Sequence, residues 1–186
     1  MKFSILIVAL LLLAGCQKQQ PIDINSLKDI PASGESGEIH YPKEVGTQKD
    51  NYAPEFEVKT IEGKLENLSE LTKSKKPVLL YFFATWCPYC REDLENAQKA
   101  LKGQNVTVLI VDMDLNEKAP LISKYQFDHG HASMEFAEGN EQILRAYGVT
   151  RTTTKYAISP EGIILWTGSG VANESVWSVL LDGLGK

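Results

Sequence analysis

The sequence predicts an α/β domain, a mixed central sheet with helices on both faces and an N-terminal hairpin extension. Three observations carry that prediction. Val78 to Ala84 is an almost unbroken apolar and aromatic run after Pro77, too short for a preferred helix and suited to a central strand covered on both faces. Behind it, Leu94, Ala97 and Leu101 recur at helical spacing with Glu92, Asp93, Glu95 and Lys99 between them, an amphipathic helix that Gly103 ends. Val106 to Val111 is a second buried run, followed after Pro120 by the helical face Leu121, Ile122 and Tyr125, so the two strands are joined by a parallel crossover.

The remaining elements follow in chain order. Phe56 to Thr60 alternates apolar and polar, Glu62-Gly63 turns, and Leu65 with Leu68 resumes the pattern, which predicts the N-terminal hairpin. Asn140 caps a helix carrying Ile143, Leu144 and Tyr147 that stops at Gly148. Tyr156–Ser159 and Ile163–Thr167 flank Pro160-Glu161-Gly162 as a second hairpin, and Asn173 caps a last helix with Val176, Trp177, Leu180 and Leu181 inward. No internal repeat interrupts this order.

Composition bounds the function. The chain has 186 residues, 43% apolar and 23% charged, with 24 acidic against 19 basic residues, a net charge of −5. That is an ordinary globular balance with room for one core, and it excludes a disordered or fibrous chain. No Lys/Arg stripe interleaves with aromatics, so nucleic acid is not an expected partner.

The first residues read as an export signal. Met1-Lys2 carries one positive charge, Phe3–Leu13 is an apolar run of 11 residues, and Leu13-Ala14-Gly15-Cys16 follows. A membrane-spanning helix needs about 20 apolar residues, more than this run supplies before Gln17-Lys18-Gln19-Gln20. Small residues directly before a cysteine resemble a bacterial lipobox, which implies residues 1–15 as a cleaved lipoprotein signal peptide and Cys16 as the lipidated first residue. A plain secretory signal and a buried N-terminal helix are the alternatives. Residues 16–50 then form a flexible tether, with Pro21, Pro31 and Pro42 stiffening it around Ser33–Gly37 and a reach on the order of 30 Å; Ile22, Ile24, Leu27 and Ile30 are the residues that would instead dock part of it. Residues 51–186 form the folded domain. The expected compartment is extracytoplasmic, where disulfides persist.

The chemistry sits where the central strand meets the helix, at Thr85-Trp86-Cys87-Pro88-Tyr89-Cys90. Two thiols two residues apart at a helix start can close a disulfide with little backbone movement. The free N–H groups and partial positive charge of the helix N-terminus lie beside the first sulfur, which makes Cys87 the acidic thiol. Its thiolate attacks a substrate disulfide and Cys90 displaces the captured partner; the reverse oxidises a dithiol. Trp86 packs beside the pair, and Pro88 sits in the first helical turn where its missing N–H costs nothing. Half a zinc site and two inert buried thiols are the other readings of the pair, but no second cysteine pair completes a Cys₄ cage.

With these residues in place, the chain from about Ala53 resembles the thioredoxin superfamily, specifically its membrane-tethered TlpA/ResA/DsbE-like group. The resemblance rests on Ala53-Pro54-Glu55-Phe56, Gly63-Lys64, Leu68-Ser69-Glu70-Leu71, Phe83 to Arg91, Tyr147-Gly148-Val149 and Ile158 to Ile163. It implies a thioredoxin-like fold, no prosthetic group or other cofactor, and thiol-disulfide exchange with protein dithiol or disulfide substrates and a redox-recycling partner. By residue match Cys87 is the nucleophile and Cys90 the resolving thiol. Two departures stand out. Thioredoxin's buried Asp six residues before the first cysteine is Tyr81 here, while the ResA-like Glu three residues after the second is Asp93, the candidate proton acceptor for Cys90. The slot of the family's cis-proline holds Thr153, whose hydroxyl is a candidate partner for Cys87, or which would slow release of mixed disulfides or admit a metal; a cis bond before a non-proline would cost about 2.5–4 kcal/mol. Pro88-Tyr89 resembles glutaredoxins and oxidising members more than thioredoxin's Gly-Pro, so a reductase, an oxidase or isomerase, and a metal-binding module using Cys87, Cys90 and His129 or His131 all remain open, with the reductase preferred. The hairpin also resembles peroxiredoxins, but Ala84 stands where their pattern needs Thr, which argues against a peroxidase.

Overall fold

The computed structural model describes residues 21–22 and 44–184. The signal segment, Cys16 and most of the tether, including Ile24, Leu27 and Ile30, lie outside them. The described chain forms seven strands and five helices: β1 Glu57–Thr60, β2 Leu65–Asn67, α1 Leu68–Lys73, β3 Val78–Phe83, α2 Pro88–Ala100, β4 Thr107–Asp112, α3 Ala119–Asp128, β5 Glu135–Glu138, α4 Glu141–Ala146, β6 Thr154–Ile158, β7 Ile164–Gly168 and α5 Glu174–Leu184.

The strands form one mixed sheet in the order β2-β1-β5-β4-β3-β6-β7. β3 pairs parallel with β4, which pairs parallel with β5, and the outer pairs are antiparallel. All six residues of β3 are buried, as its continuous apolar run requires of a strand covered on both faces. Leu79, Tyr81 and Phe83 pack with α2, α3 and α5 on one side; Val78, Leu80 and Phe82 pack with α1 and α4 on the other. The expected thioredoxin-like mixed sheet with helices on both faces is therefore present.

Two elements were not visible in the sequence. β5 reads Glu-Phe-Ala-Glu, only four residues with two buried, too short for a period to register; its parallel neighbour β4 makes it a strand. Leu68, expected to continue the hairpin, starts α1 instead, because Asn67 accepts the Glu70 N–H and caps a helix there.

Residues 44–52, the end of the expected tether included, lie along the sheet edge. Tyr52 N donates to Glu44 O at 3.0 Å, Asp50 N to Ile164 O at 2.8 Å, and Tyr52 bridges Ile163. Ile22 N donates to Val171 O at 3.3 Å and its side chain joins the core edge. Among the described residues no helix is long and apolar enough to cross a membrane.

Candidate active site

The site forms at the C-terminal edge of β3, where parallel α/β sheets present their ligand-binding loops. After Phe83 the chain makes one turn, closed by Cys87 N donating to Ala84 O at 3.1 Å, and enters α2. Cys87 is the N-cap of that helix: its Sγ accepts the Cys90 N–H at 3.1 Å, and Pro88 takes the first turn, where it withholds no needed donor. The cap position, which usually goes to Ser, Thr, Asp or Asn, is here filled by sulfur. Both thiols are free and buried.

The two sulfurs are pushed in opposite directions. The hydrogen bond from Cys90 does most to hold the Cys87 thiol down, against burial and with help from the Thr152 hydroxyl and the Cys90 and Tyr89 amides, to about 6. Cys87 Sγ lies 3.2 Å from Thr152 Oγ1. Cys90 is pushed far up, first by burial and then by its partner. At neutral pH the pair therefore holds one proton, on Cys90, shared toward an anionic Cys87.

Behind Cys90 lies a buried polar network. Asp93 and Lys155 are both 0% exposed, and Lys155 Nζ meets Asp93 Oδ2 at 2.6 Å. Tyr81 Oη donates to the same oxygen at 2.9 Å, while Ala172 N and Trp177 Nε1 donate to Oδ1 at 2.9 and 2.8 Å. The Tyr81 hydroxyl also acts on the Cys90 thiol and so links the thiol to the carboxylate. Asp93 lies one bridging group away from Cys90. Lys155, directly opposite Tyr81 in the β3–β6 register, sits over the Tyr81 and Trp177 rings at 4.9 and 5.5 Å. Burial lowers its pKa and Asp93 opposes that shift.

The expected role of Thr153 goes to its neighbour. No described peptide bond is cis, and Thr153 takes φ 62, a costly region for a β-branched residue. It is held there by Thr153 N donating to Phe82 O at 2.8 Å, by its Oγ1 donating to Thr152 O at 2.6 Å and accepting from Gly170 N at 2.9 Å, and by Lys155 Nζ on its carbonyl at 3.0 Å. The turn so formed delivers the Thr152 hydroxyl to Cys87 while the Thr153 hydroxyl faces Gly170.

Trp86, expected to pack beside the cysteines, is 63% exposed, and its Nε1 donates to Asp114 Oδ2 at 2.9 Å. Tyr89 packs partly buried against the core edge. His131 is buried with Nδ1 2.6 Å from Gln98 Oε1, and His129 caps α3; among the described residues no group of three His, Cys, Asp or Glu is placed to hold a metal ion. Thr152 and Lys155 escaped the sequence reading. A lysine at an inward position of an apolar strand was the available signal for Lys155; Thr152 offered none, since its position depends on a turn 65 residues away in the chain from Cys87.

The chain is similar to known thiol-disulfide oxidoreductases. The chain is 32% identical over 124 residues to the Bacillus subtilis thioredoxin-like protein YneN, covering 66% of this chain and 72% of that protein. It is 29% identical over 127 residues to the thiol-disulfide oxidoreductase ResA of the same organism, covering 67% and 69%. Among solved structures, the thioredoxin domain of a Bacteroides vulgatus thiol-disulfide oxidoreductase superposes with TM-score 0.64 at 16% identity over 75% of this chain and 99% of that one. A thiol:disulfide interchange protein from Chlorobium tepidum superposes with TM-score 0.59 at 24% identity, covering 72% and 95%; both likenesses speak to the fold. The AhpC/TSA family profile matches residues 50–167, from the edge-bound segment before β1 to the end of β7 and with both cysteines inside it, and on that match the chain belongs to the AhpC/TSA family, in its thioredoxin-like form.

Proposed function

We propose that this thiol-disulfide oxidoreductase works outside the cytoplasm, tethered to a membrane through a lipidated Cys16, and reduces disulfides in protein substrates. Cys87 is the nucleophile and Cys90 the resolving thiol. The observation that carries the reading is the Cys87 sulfur at the cap of α2, taking hydrogen bonds from the Cys90 amide and lying against the Thr152 hydroxyl, with its thiol held at about 6.

The Cys87 thiolate attacks one sulfur of a substrate disulfide; the other leaves as a thiolate and takes a proton from water. Cys90 then loses its proton and attacks Cys87 Sγ, so that the second substrate sulfur leaves and the Cys87–Cys90 disulfide forms. Two electrons pass to the substrate, and a separate reductant restores the dithiol. The Cys90 proton passes to the Tyr81 oxygen as the Tyr81 proton passes to Asp93, along the contacts described above. Trp86, Pro88 and Tyr89 shape the rim, and Thr153 holds the turn that aims Thr152.

Direction follows from how far the thiolate is stabilised. Thioredoxin's nucleophile has a pKa of about 7 and a potential of about −270 mV, and DsbA's about 3.5 and −120 mV. A thiol at about 6 lies nearer thioredoxin's value than DsbA's. That supports the reducing side. A glutathione titration read as a mass change of two hydrogens tests it; a value near DsbA's would make the protein an oxidase. Cys90→Ser holds the captured substrate on Cys87 in the native compartment. Cys16→Ser moves the protein from the membrane to the soluble fraction, and its retention at the membrane would sink the lipid anchor.

A further inference from the structure

The two residues in front of Cys87 are gripped by carboxylates that the exchange steps do not use. Thr85 N donates to Glu117 Oε2 at 2.8 Å, and Thr85 Oγ1 donates to Glu117 Oε1. Trp86 Nε1 donates to Asp114 Oδ2, and Asp112 Oδ1 accepts the Asp114 N–H at 2.8 Å. The β4–α3 loop thus holds the β3–α2 loop by two adjacent residues. Both Glu117 oxygens are occupied by Thr85. Asp112, at the end of β4 and 0% exposed, has an Oδ2 with no hydrogen-bond partner among the described residues.

The charges around Asp112 leave it one way to be satisfied. Glu117 and Asp114 act on it from its own loop, and both are acidic. Lys118 acts on Asp114 from the exposed side, and Glu138 of β5 spends Oε1 on the Ala119 N–H at 2.6 Å. The β3–α2 side offers Thr85, Trp86 and the anionic Cys87. Two desolvated carboxylates side by side do not both ionise; one keeps a proton. Glu117 accepts at both oxygens, so a proton held on Asp112 would let its unpartnered Oδ2 donate toward Glu117. Burial, then Glu117, pushes the Asp112 carboxyl up to about 8.

We propose that Asp112 and Glu117 share one proton and act together as positioning residues, a clamp that keeps Thr85–Trp86, and through them the helix cap at Cys87, in the geometry that exchange needs. Loss of that proton sets two anions against each other and loosens the clamp. Its consequence for Cys87 rests on the thiol-exchange reading; the clamp itself does not.

The test follows the Trp86 indole N–H by NMR across alkaline pH in the reduced full chain, assigned with Trp86→Phe, alongside the alkylation rate of Cys87 by iodoacetamide read on its peptide. The indole signal is expected to titrate with a midpoint of about 8, to lose that transition in Asp112→Asn, and to show it moved down toward the ordinary carboxylate range in Glu117→Gln. The Cys87 rate should bend at the same pH in the native protein and follow a single thiol titration in Asp112→Asn. A Trp86 signal flat across that range, or a transition that survives in Asp112→Asn, overturns the clamp. Should Asp112→Asn not fold, a midpoint unmoved in Glu117→Gln overturns it alone. A Trp86 transition with an inert Cys87 keeps the clamp and removes the exchange reading instead.

Discussion

Leu79, Tyr81 and Phe83 face one side of the sheet while Val78, Leu80 and Phe82 face the other, and the two sides of this single strand are packed by different rules. The second side is an apolar and aromatic core. Phe56, Phe82, Tyr147 and Tyr156 meet ring to ring at 5.0–6.4 Å, and its two tyrosine hydroxyls donate to backbone carbonyls. The first side carries both sulfurs and a fully buried ion pair. An apolar side earns stability from area and shape, whereas a buried charge is worth keeping only if its neighbours satisfy it. Asp93 meets that condition through four donors, and one of them, Tyr81, leads to Cys90. What stabilises one side and what reacts on the other are therefore separable by mutation.

The largest contrast comes from one substitution on each side. Cys87→Ser should abolish exchange in an insulin-reduction assay while the fold stays intact by circular dichroism. Leu80→Ala should cost about 2–5 kcal/mol in urea unfolding and leave the Cys87 alkylation profile in place. Loss of the thiolate signature in Leu80→Ala would mean that the two sides are coupled.

Lys155→Ala should rival that stability loss, at about 3–5 kcal/mol, because it strands the Asp93 charge in the core. The double variant Asp93→Leu with Lys155→Met should recover most of it and still resolve mixed disulfides slowly. Normal resolution in the double variant would remove Asp93 from the proton path.

Tyr81→Phe removes the hydroxyl between Cys90 and Asp93, at about 1–3 kcal/mol for the unpaired group left behind. Single-turnover kinetics should show capture by Cys87 unchanged and release slowed, with release gaining rate at higher pH as solvent hydroxide takes over. Equal slowing of both steps would point to a structural role alone.

The smallest effect belongs to Thr152→Val. Losing one hydrogen bond to the thiolate should raise the Cys87 pKa from about 6 toward the ordinary thiol value and slow alkylation below neutrality. The sign for stability follows from linkage. The folded thiol is more acidic than the unfolded one, so the reduced protein draws stability from it above the unfolded value of about 8.5 and loses that stability as pH falls through about 6. Thr152→Val should narrow that window.

Much of this was legible in the chain. The buried run of β3, the face of α2, the Asn140 cap and the turn at Pro160–Gly162 stood in the sequence because each depends on neighbours a few residues away. The same holds for the cap geometry of Cys87, which follows from a cysteine placed directly before Pro88 at a helix start. Resemblance brought Asp93 into view but not its connection, since the Tyr81 bridge exists only where β3 and α2 face each other. The assignment to Thr153 missed by one residue, because counting along a strand cannot show that a turn with φ 62 presents the preceding hydroxyl. β5 was invisible because four residues carry no period.

By itself, then, the amino-acid order determined the local pieces: which segments extend, which coil, and which sulfur meets a helix start. Packing decided the rest. Thr152 on Cys87, Lys155 on Asp93 and Glu117 on Thr85 join residues 32 to 65 positions apart. The physical reason is that periodicity and capping act over a turn or two of chain. The charge state of a buried group depends instead on which donors and charges stand within a few ångströms of it, and the folded sheet alone brings those together.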